Sequence, residues 1–249
     1  MNHTLTESAA MCPSVAALKV KLFADGAEKA GMVEVSRNPL IRGFTTNPTL
    51  MRKAGVREYR GFAREVLDAI PDRPISFEVF ADEFEAMERQ ALEIASWGRQ
   101  VYVKIPITNT LGAPSNAVVQ RLARRGVKLN ITAITTLEQV RSISAALADG
   151  PSSYVSVFAG RIADTGRDPV PLMAEAVEIL RPHPNLELLW ASPRELLNVF
   201  QADAIGCHII TATPDLLKKL SLVGKDLGEF SLDTVKMFYE DARKAGYSL

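Results

Sequence analysis

"QVYVKIPITNTLGAPSNAVVQRLARRGVKLNITA", Gln100–Ala133, contains one complete structural unit. "QVYVKIPI" is an apolar, β-branched run, closed by Pro106, and reads as a buried strand. "APSNAVVQRLARRG" has the amphipathic spacing of a helix, and "VKLNITA" returns to a strand. A strand, a helix and a strand in this order predict two parallel strands joined by a right-handed crossover. The same theme extends in both directions. Further strands are expected at "LKVKLFAD", "PLIRGFT", "PISFEVF", "SYVSVFAG", "LELLWAS" and "CHIITA". Helical patterns lie between them, clearest in "EFEAMERQALEIASWG", "TTLEQVRSISAALADG" and "DPVPLMAEAVEILR", and a last helix near "LDTVKMFYEDARKAG" follows the eighth strand. Eight such units in 249 residues match the size of a TIM (β/α)8 barrel. An open doubly wound sheet is the alternative α/β fold, but no GxGxxG or P-loop accompanies the first turn. The expectation is an α/β TIM barrel with an additional C-terminal helix. Residues 1–249 form one domain, and 230–249 supply the extra helix.

Lysine plus arginine equals aspartate plus glutamate, 29 each, and 47% of residues are apolar. This balance argues against a nucleic-acid or acidic-membrane partner, so any bound anion must be held by local geometry. Cys12 and Cys207 are the only cysteines and form no CxxC pair, which fits a reducing compartment. The start, "MNHTLTESAAMCPS", lacks a basic segment followed by an apolar core, and no stretch approaches the roughly 18 apolar residues of a membrane span. A cytoplasmic protein is expected.

In TIM barrels the chemistry sits at the carboxyl ends of the strands. Those positions carry Asp25, Thr45, Thr46, Asn47, Glu78, Lys104, Asn130, Thr132, Ser156, Arg161, Ser192 and Arg194. Strand alternation puts Tyr102, Lys104 and Pro106 on one face, and the lumen is one of the two available faces. A lysine partly desolvated there has its charged form disfavoured, which lowers its pKa from about 10.4 and supplies a nucleophilic amine. Such an amine forms Schiff bases with ketones, and the iminium is an electron sink for breaking a neighbouring C–C bond. His3, His183 and His208 are not spaced as ligand pairs, so no metal and no other cofactor is expected. Two arginines and a helix start near strands six and seven suit a substrate phosphate.

Taken singly, each residue also has an ordinary structural role. Lys104 is read as ion-paired or snorkelling. Asp25 caps a helix with Glu28 at N3, Asn47 caps one with Pro48 in its first turn, and "SPRE", Ser192–Glu195, is a capping box with proline at N1. Glu78 and Asn130 bond each other across the lumen.

Together "GFTTNPTL", "VYVKIPIT", "LNITAI", "SVFAGRIADTG" and "WASPREL" resemble the transaldolase family, whose small members include the fructose-6-phosphate aldolases. The resemblance implies a barrel whose strand-four lysine, Lys104, forms the Schiff base, with Asp25 in general acid–base work. Asn47 and Asn130 would bind the hydroxyls of a dihydroxyacetone unit, and Thr46 is expected to touch the substrate beside them. Glu78 and Thr132 would position a catalytic water, Ser156 would lie beside the Schiff-base carbon, and Phe158 would line the substrate site. Arg161, Ser192 and Arg194 would face the phosphate. The aldolase members typically carry glutamine where Glu78 stands and tyrosine where Phe158 stands, which favours a transaldolase acting on sugar phosphates of the pentose phosphate type. A class I aldolase handling free dihydroxyacetone is the first alternative, and a non-catalytic sugar-phosphate-binding barrel is the second. Two departures from the family pattern are Gly26 after Asp25 and Pro193 between Ser192 and Arg194. The small members form rings, so a homo-oligomer is expected, with the apolar Val235, Phe238 and Tyr239 of the last helix covering the barrel or a neighbouring subunit.

Overall fold

The computed structural model describes residues 14–248, so the expectations that fall on the N-terminal segment, His3 and Cys12 lie outside the described residues. Eight parallel strands close into a barrel in chain order. They are β1 (Lys21–Asp25), β2 (Ile41–Thr45), β3 (Ile75–Glu78), β4 (Val101–Pro106), β5 (Leu129–Ile134), β6 (Ser153–Val157), β7 (Leu186–Trp190) and β8 (Ile209–Ala212). Seven fall within the stretches expected from the sequence, β5 runs one residue past its stretch to Ile134, and the fold is a TIM barrel.

Helices Phe84–Ala95, Asn116–Arg124, Leu137–Leu147 and Val170–Leu180 fill the expected intervals. Each turns its apolar stripe onto the outer face of the strands, as Val119, Leu122, Val140 and Ile143 show by their burial. Thr136 and Gln139 close a reciprocal capping box that starts the helix after β5.

The lower lumen is solid. Phe23 of β1 meets Tyr154 of β6 edge to face, and Tyr154 stacks on Tyr102 of β4 at 4.0 Å between ring centroids. Gly43 of β2 makes room for this plug, since a Cβ there would lie 2.5 Å from the Phe23 ring. Leu189 and Ala191 complete the layer. A polar cavity lies above this layer, at the carboxyl ends of the strands, where a TIM barrel places its chemistry.

The chain divides into two compact units. One is Leu18–Lys218, which contains the barrel, and the other joins the described residues 14–17 with those from Lys219 onward. The second contains helix Leu227–Ala245, capped by Asp226, whose side chain accepts from the Glu229 N–H, and ended by Gly246 in the left-handed conformation.

Candidate active site

A cavity of about 550 Å³ opens at the carboxyl ends of the strands. Its walls hold Asp25, Asn47, Glu78, Lys104, Asn130, Thr132, Ser156, Phe158, Arg161, Ser192 and Arg194. Every site residue expected from the sequence except Thr46 is therefore brought to one place. Parallel pairing explains the clustering: Glu78 lies beside Lys104 on adjacent strands, and Lys104 beside Asn130, so their side chains leave the barrel wall at one level.

Lys104 is 6% exposed. Its Nζ lies 3.2 Å from Glu78 Oε2 and donates to the Thr46 carbonyl at 3.2 Å. These two contacts fix the amine at the cavity wall. Thr46 serves here through its backbone. Its hydroxyl donates to the Ser76 carbonyl and its side chain is wholly buried, so the expectation that it touches substrate does not match its position.

Asp25 sits at the carboxyl end of β1, and its Oδ1 accepts from the Thr45 hydroxyl at 2.8 Å. Burial pushes its carboxyl up from the usual 3.8, and this outweighs the downward pull of the Lys104 charge and the Thr45 hydrogen bond. The helix-capping role expected for Asp25 is absent. Glu28 itself is the N-cap, accepting from the Ala30 and Gly31 N–H groups, which leaves Asp25 to the cavity. Asn47 does cap its helix through Oδ1 and the Leu50 N–H, with Pro48 following. Among the described residues its Nδ2 has no partner, so capping and a cavity contact are compatible.

The expected bond between Glu78 and Asn130 is not formed. Asn130 is clamped instead between side chains of β3 and β6: its Nδ2 donates to Ser76 Oγ at 3.0 Å, and its Oδ1 accepts from Ser156 Oγ at 2.6 Å. Among the described residues the Thr132 hydroxyl is buried without a partner, an orphan donor suited to a bound water or ligand. Its placement follows from an irregularity in β5. Ala133 has φ 62°, and the register against β6 shifts between Ile131 and Ile134.

Ser192, with φ 59°, is the other non-glycine residue in the left-handed region among the described residues, and both line this cavity. Such strain persists where surrounding structure over-determines it. The conformation also overturns the "SPRE" capping box, because an N-cap needs extended dihedrals. The helix starts only at Leu197, and the Asn198 side chain takes the Arg194 and Glu195 N–H groups instead. The mouth is tight on this side. A Cβ at Gly160 would fall 1.5 Å from the Ser192 carbonyl oxygen. Gly160→Ala is accordingly expected to lower the thermal midpoint by several degrees, where about 1 kcal/mol is worth 2–4 °C at this chain length. A calorimetric melt unchanged from wild type would contradict the close approach.

Four basic side chains, Lys53, Lys104, Arg161 and Arg194, face the cavity against the carboxylates of Asp25 and Glu78. Arg194 is held by Asp164 through two hydrogen bonds, a partnership the sequence reading missed. Arg161, exposed on the short helix after β6, forms no ion pair with the described residues. The one described cysteine, Cys207, is buried outside the cavity, and burial pushes its thiol up to about 12.

A closed (β/α)8 barrel with a buried amine and a desolvated carboxylate on one polar cavity is the architecture of a barrel enzyme that works on small polar molecules. Likeness to known proteins narrows the class. The model of the family described as transaldolase/fructose-6-phosphate aldolase matches residues 22–249. The chain is 33% identical over 231 residues to a "Probable transaldolase" of Thermoanaerobacter sp. (strain X514), covering 92% of this chain and 100% of that one. It is 34% identical over 202 residues to a "Probable transaldolase" of Methanococcus maripaludis (strain C7), covering 81% and 89%. The chain belongs to the transaldolase/fructose-6-phosphate aldolase family and is an enzyme that transfers aldehyde or ketone groups. This removes the non-catalytic alternative. Among solved structures, dihydrodipicolinate synthase from Rhodopseudomonas palustris superposes with a TM-score of 0.56 at 13% identity, over 90% of this chain and 79% of that one. At that identity the likeness is one of fold.

Proposed function

We propose that the protein is a transaldolase that moves a dihydroxyacetone unit from a ketose phosphate to an aldose acceptor through a Schiff base on Lys104. The observation that carries this reading is the buried Nζ, held 3.2 Å from both Glu78 Oε2 and the Thr46 carbonyl, on a cavity shared with Asp25. Lys104 Nζ attacks the C2 carbonyl, and loss of water leaves an iminium. Asp25 takes the proton of the C4 hydroxyl as the C3–C4 bond breaks, and the bonding pair moves into the iminium to leave an enamine. The aldose departs. The enamine carbon then attacks an acceptor aldehyde, Asp25 returns its proton to the new alkoxide, and water releases the product ketose from Lys104. In this scheme Glu78 and the orphan Thr132 hydroxyl hold the water. Asn47, Asn130 and Ser156 meet the substrate hydroxyls, and Arg161, Ser192 and Arg194 face its phosphate. Thr46 contributes its carbonyl alone.

Phe158 decides between transfer and simple cleavage. It lines the cavity and packs on the apolar layer beneath, so it offers the enamine no proton donor. Ketose cleavage is expected to depend on an added aldose. Phe158→Tyr introduces a hydroxyl there and is expected to raise acceptor-independent release of dihydroxyacetone at least several-fold. Full-rate cleavage by the wild-type chain without acceptor would establish the aldolase alternative instead. Residues 1–249 are read as a single domain. The exposed apolar side chains Val235, Phe238 and Tyr239 of the last helix support a homo-oligomer.

A further inference from the structure

Thr211 of β8 also reaches the cavity, although strand eight supplied no expected site residue. Its Oγ1 lies 2.6 Å from Thr45 Oγ1, which in turn lies 2.8 Å from Asp25 Oδ1. The three groups form a line across β8, β2 and β1, closed at the aspartate end. Each hydroxyl carries one proton. When both contacts are made, Thr211 donates to Thr45 and Thr45 to Asp25, and the Thr211 donor polarises the Thr45 hydroxyl toward the carboxylate; if Thr45 donates to Thr211 instead, the carboxylate loses its partner. Both threonines are buried at the cavity wall, and β-branching restricts the χ1 angle that places each hydroxyl oxygen. From this arrangement we propose that Thr211 is a positioning residue. Its hydroxyl donates to Thr45, turns the Thr45 proton onto Asp25 Oδ1, and so holds Asp25 as the ionised base with Oδ2 left for the substrate hydroxyl.

The other charged groups on the cavity are Glu78, Lys104, Lys53, Arg161 and Arg194. Of these Lys104 acts on Asp25 directly, favouring the ionised form. None of them requires the Thr211 hydroxyl, so the Thr211 contribution is separable from theirs. When Asp25 takes up the substrate proton, its demand for the Thr45 proton falls, and the line is free to reverse toward Thr211. The pair of threonines thus relays the protonation state of Asp25 without any net proton leaving the site.

The inference rests on the base role given to Asp25 above, but its test needs no turnover. Carbon-13 labelling of aspartate carboxyls, with the Asp25 resonance assigned by its loss in Asp25→Asn, gives the titration of this group in the free protein. Thr211→Val, which keeps the shape and removes the hydroxyl, is expected to raise the Asp25 midpoint by ~0.5 pH unit or more. Thr211→Ser is expected to restore it. In a Thr45→Val background the same substitution is expected to have no further effect, since the relay is already cut. The acid limb of the kcat/KM profile is expected to follow the same shift. A midpoint unmoved in Thr211→Val, or moved equally with Thr45 absent, would overturn the proposal. So would a drop in kcat with an unmoved acid limb. Should Thr211→Val not fold, Thr211→Ala is read by the same measurement and the same outcomes. A relay intact in the titration of a protein that transfers no ketose would leave this inference standing and remove the proposed function instead.

Discussion

Borohydride reduction in the presence of a ketose phosphate is expected to leave a three-carbon adduct on Lys104 and on no other lysine, read by intact mass and peptide mapping. Lys104→Met is expected to show no adduct and to lose turnover by something on the order of 10⁵–10⁶-fold, the scale for removing a covalent nucleophile. The geometry explains why this lysine should be singled out. It is held within a cavity wall, its nitrogen faces a polar void, and its two fixed contacts aim that nitrogen rather than cover it. Stability separates this outcome from misfolding. Methionine fills much of the same space, but taking away one partner of a buried pair strands the other. Lys104→Met combined with Glu78→Gln removes both charges and is expected to melt near the wild-type temperature while still forming no adduct. An adduct surviving in Lys104→Met, or the untreated mass in wild type, would exclude a Schiff base at this position.

How much of this was legible beforehand depended on the range of the interactions involved. The barrel was, because each strand announces itself by a local apolar run and each intervening helix by its period. Lys104 was legible for the same reason: a cation in the middle of "VYVKIP" is a local anomaly. Caps that use one adjacent loop, such as Asn47 before Pro48, were also readable. Partnerships across strands were not. Asn130 pairs with Ser76 and Ser156, residues that closure of the barrel brings together from three separate strands, information that no single segment contains. Asp164 and Arg194 meet across thirty residues of chain. The threonine in "HIITA" reads as an ordinary β-former, and nothing local tells that its hydroxyl abuts Thr45. "SPRE" failed differently. The motif is a good cap in isolation, but close passage of the Ser192 carbonyl over Gly160 goes with a left-handed residue at the cap position.

The contrast between Lys104 and Asp25 is instructive. The lysine has a counter-charge in contact, whereas among the described residues the carboxylate of Asp25 has a hydroxyl in contact and a more distant positive charge. The base role proposed for Asp25, accepting a proton and later returning it, would be served by this arrangement, because a tight ion pair would hold the carboxylate ionised too firmly to donate.

Asp25→Asn is therefore expected to lower turnover by about 10²–10⁴-fold and, in the same protein, to raise thermal stability at neutral pH. The sign follows from linkage. The folded carboxyl titrates above the usual 3.8 because burial disfavours its charge, so folding is opposed by the ionised form and not by the protonated one. The penalty is absent below the unfolded value. It grows as pH rises from about 3.8 through the raised folded value and is complete above it. Asparagine keeps a carbonyl oxygen to accept from Thr45 and carries no charge at any pH. The gain in melting temperature should thus be largest above the folded value and vanish near pH 3. Melts of both proteins across this range, beside initial rates at one pH, make the check. Equal melting at pH 7, or a gain that persists undiminished in acid, would show that desolvation of this carboxylate is not what the fold tolerates for the sake of its base. Unchanged turnover would remove Asp25 from the chemistry whatever the melts show.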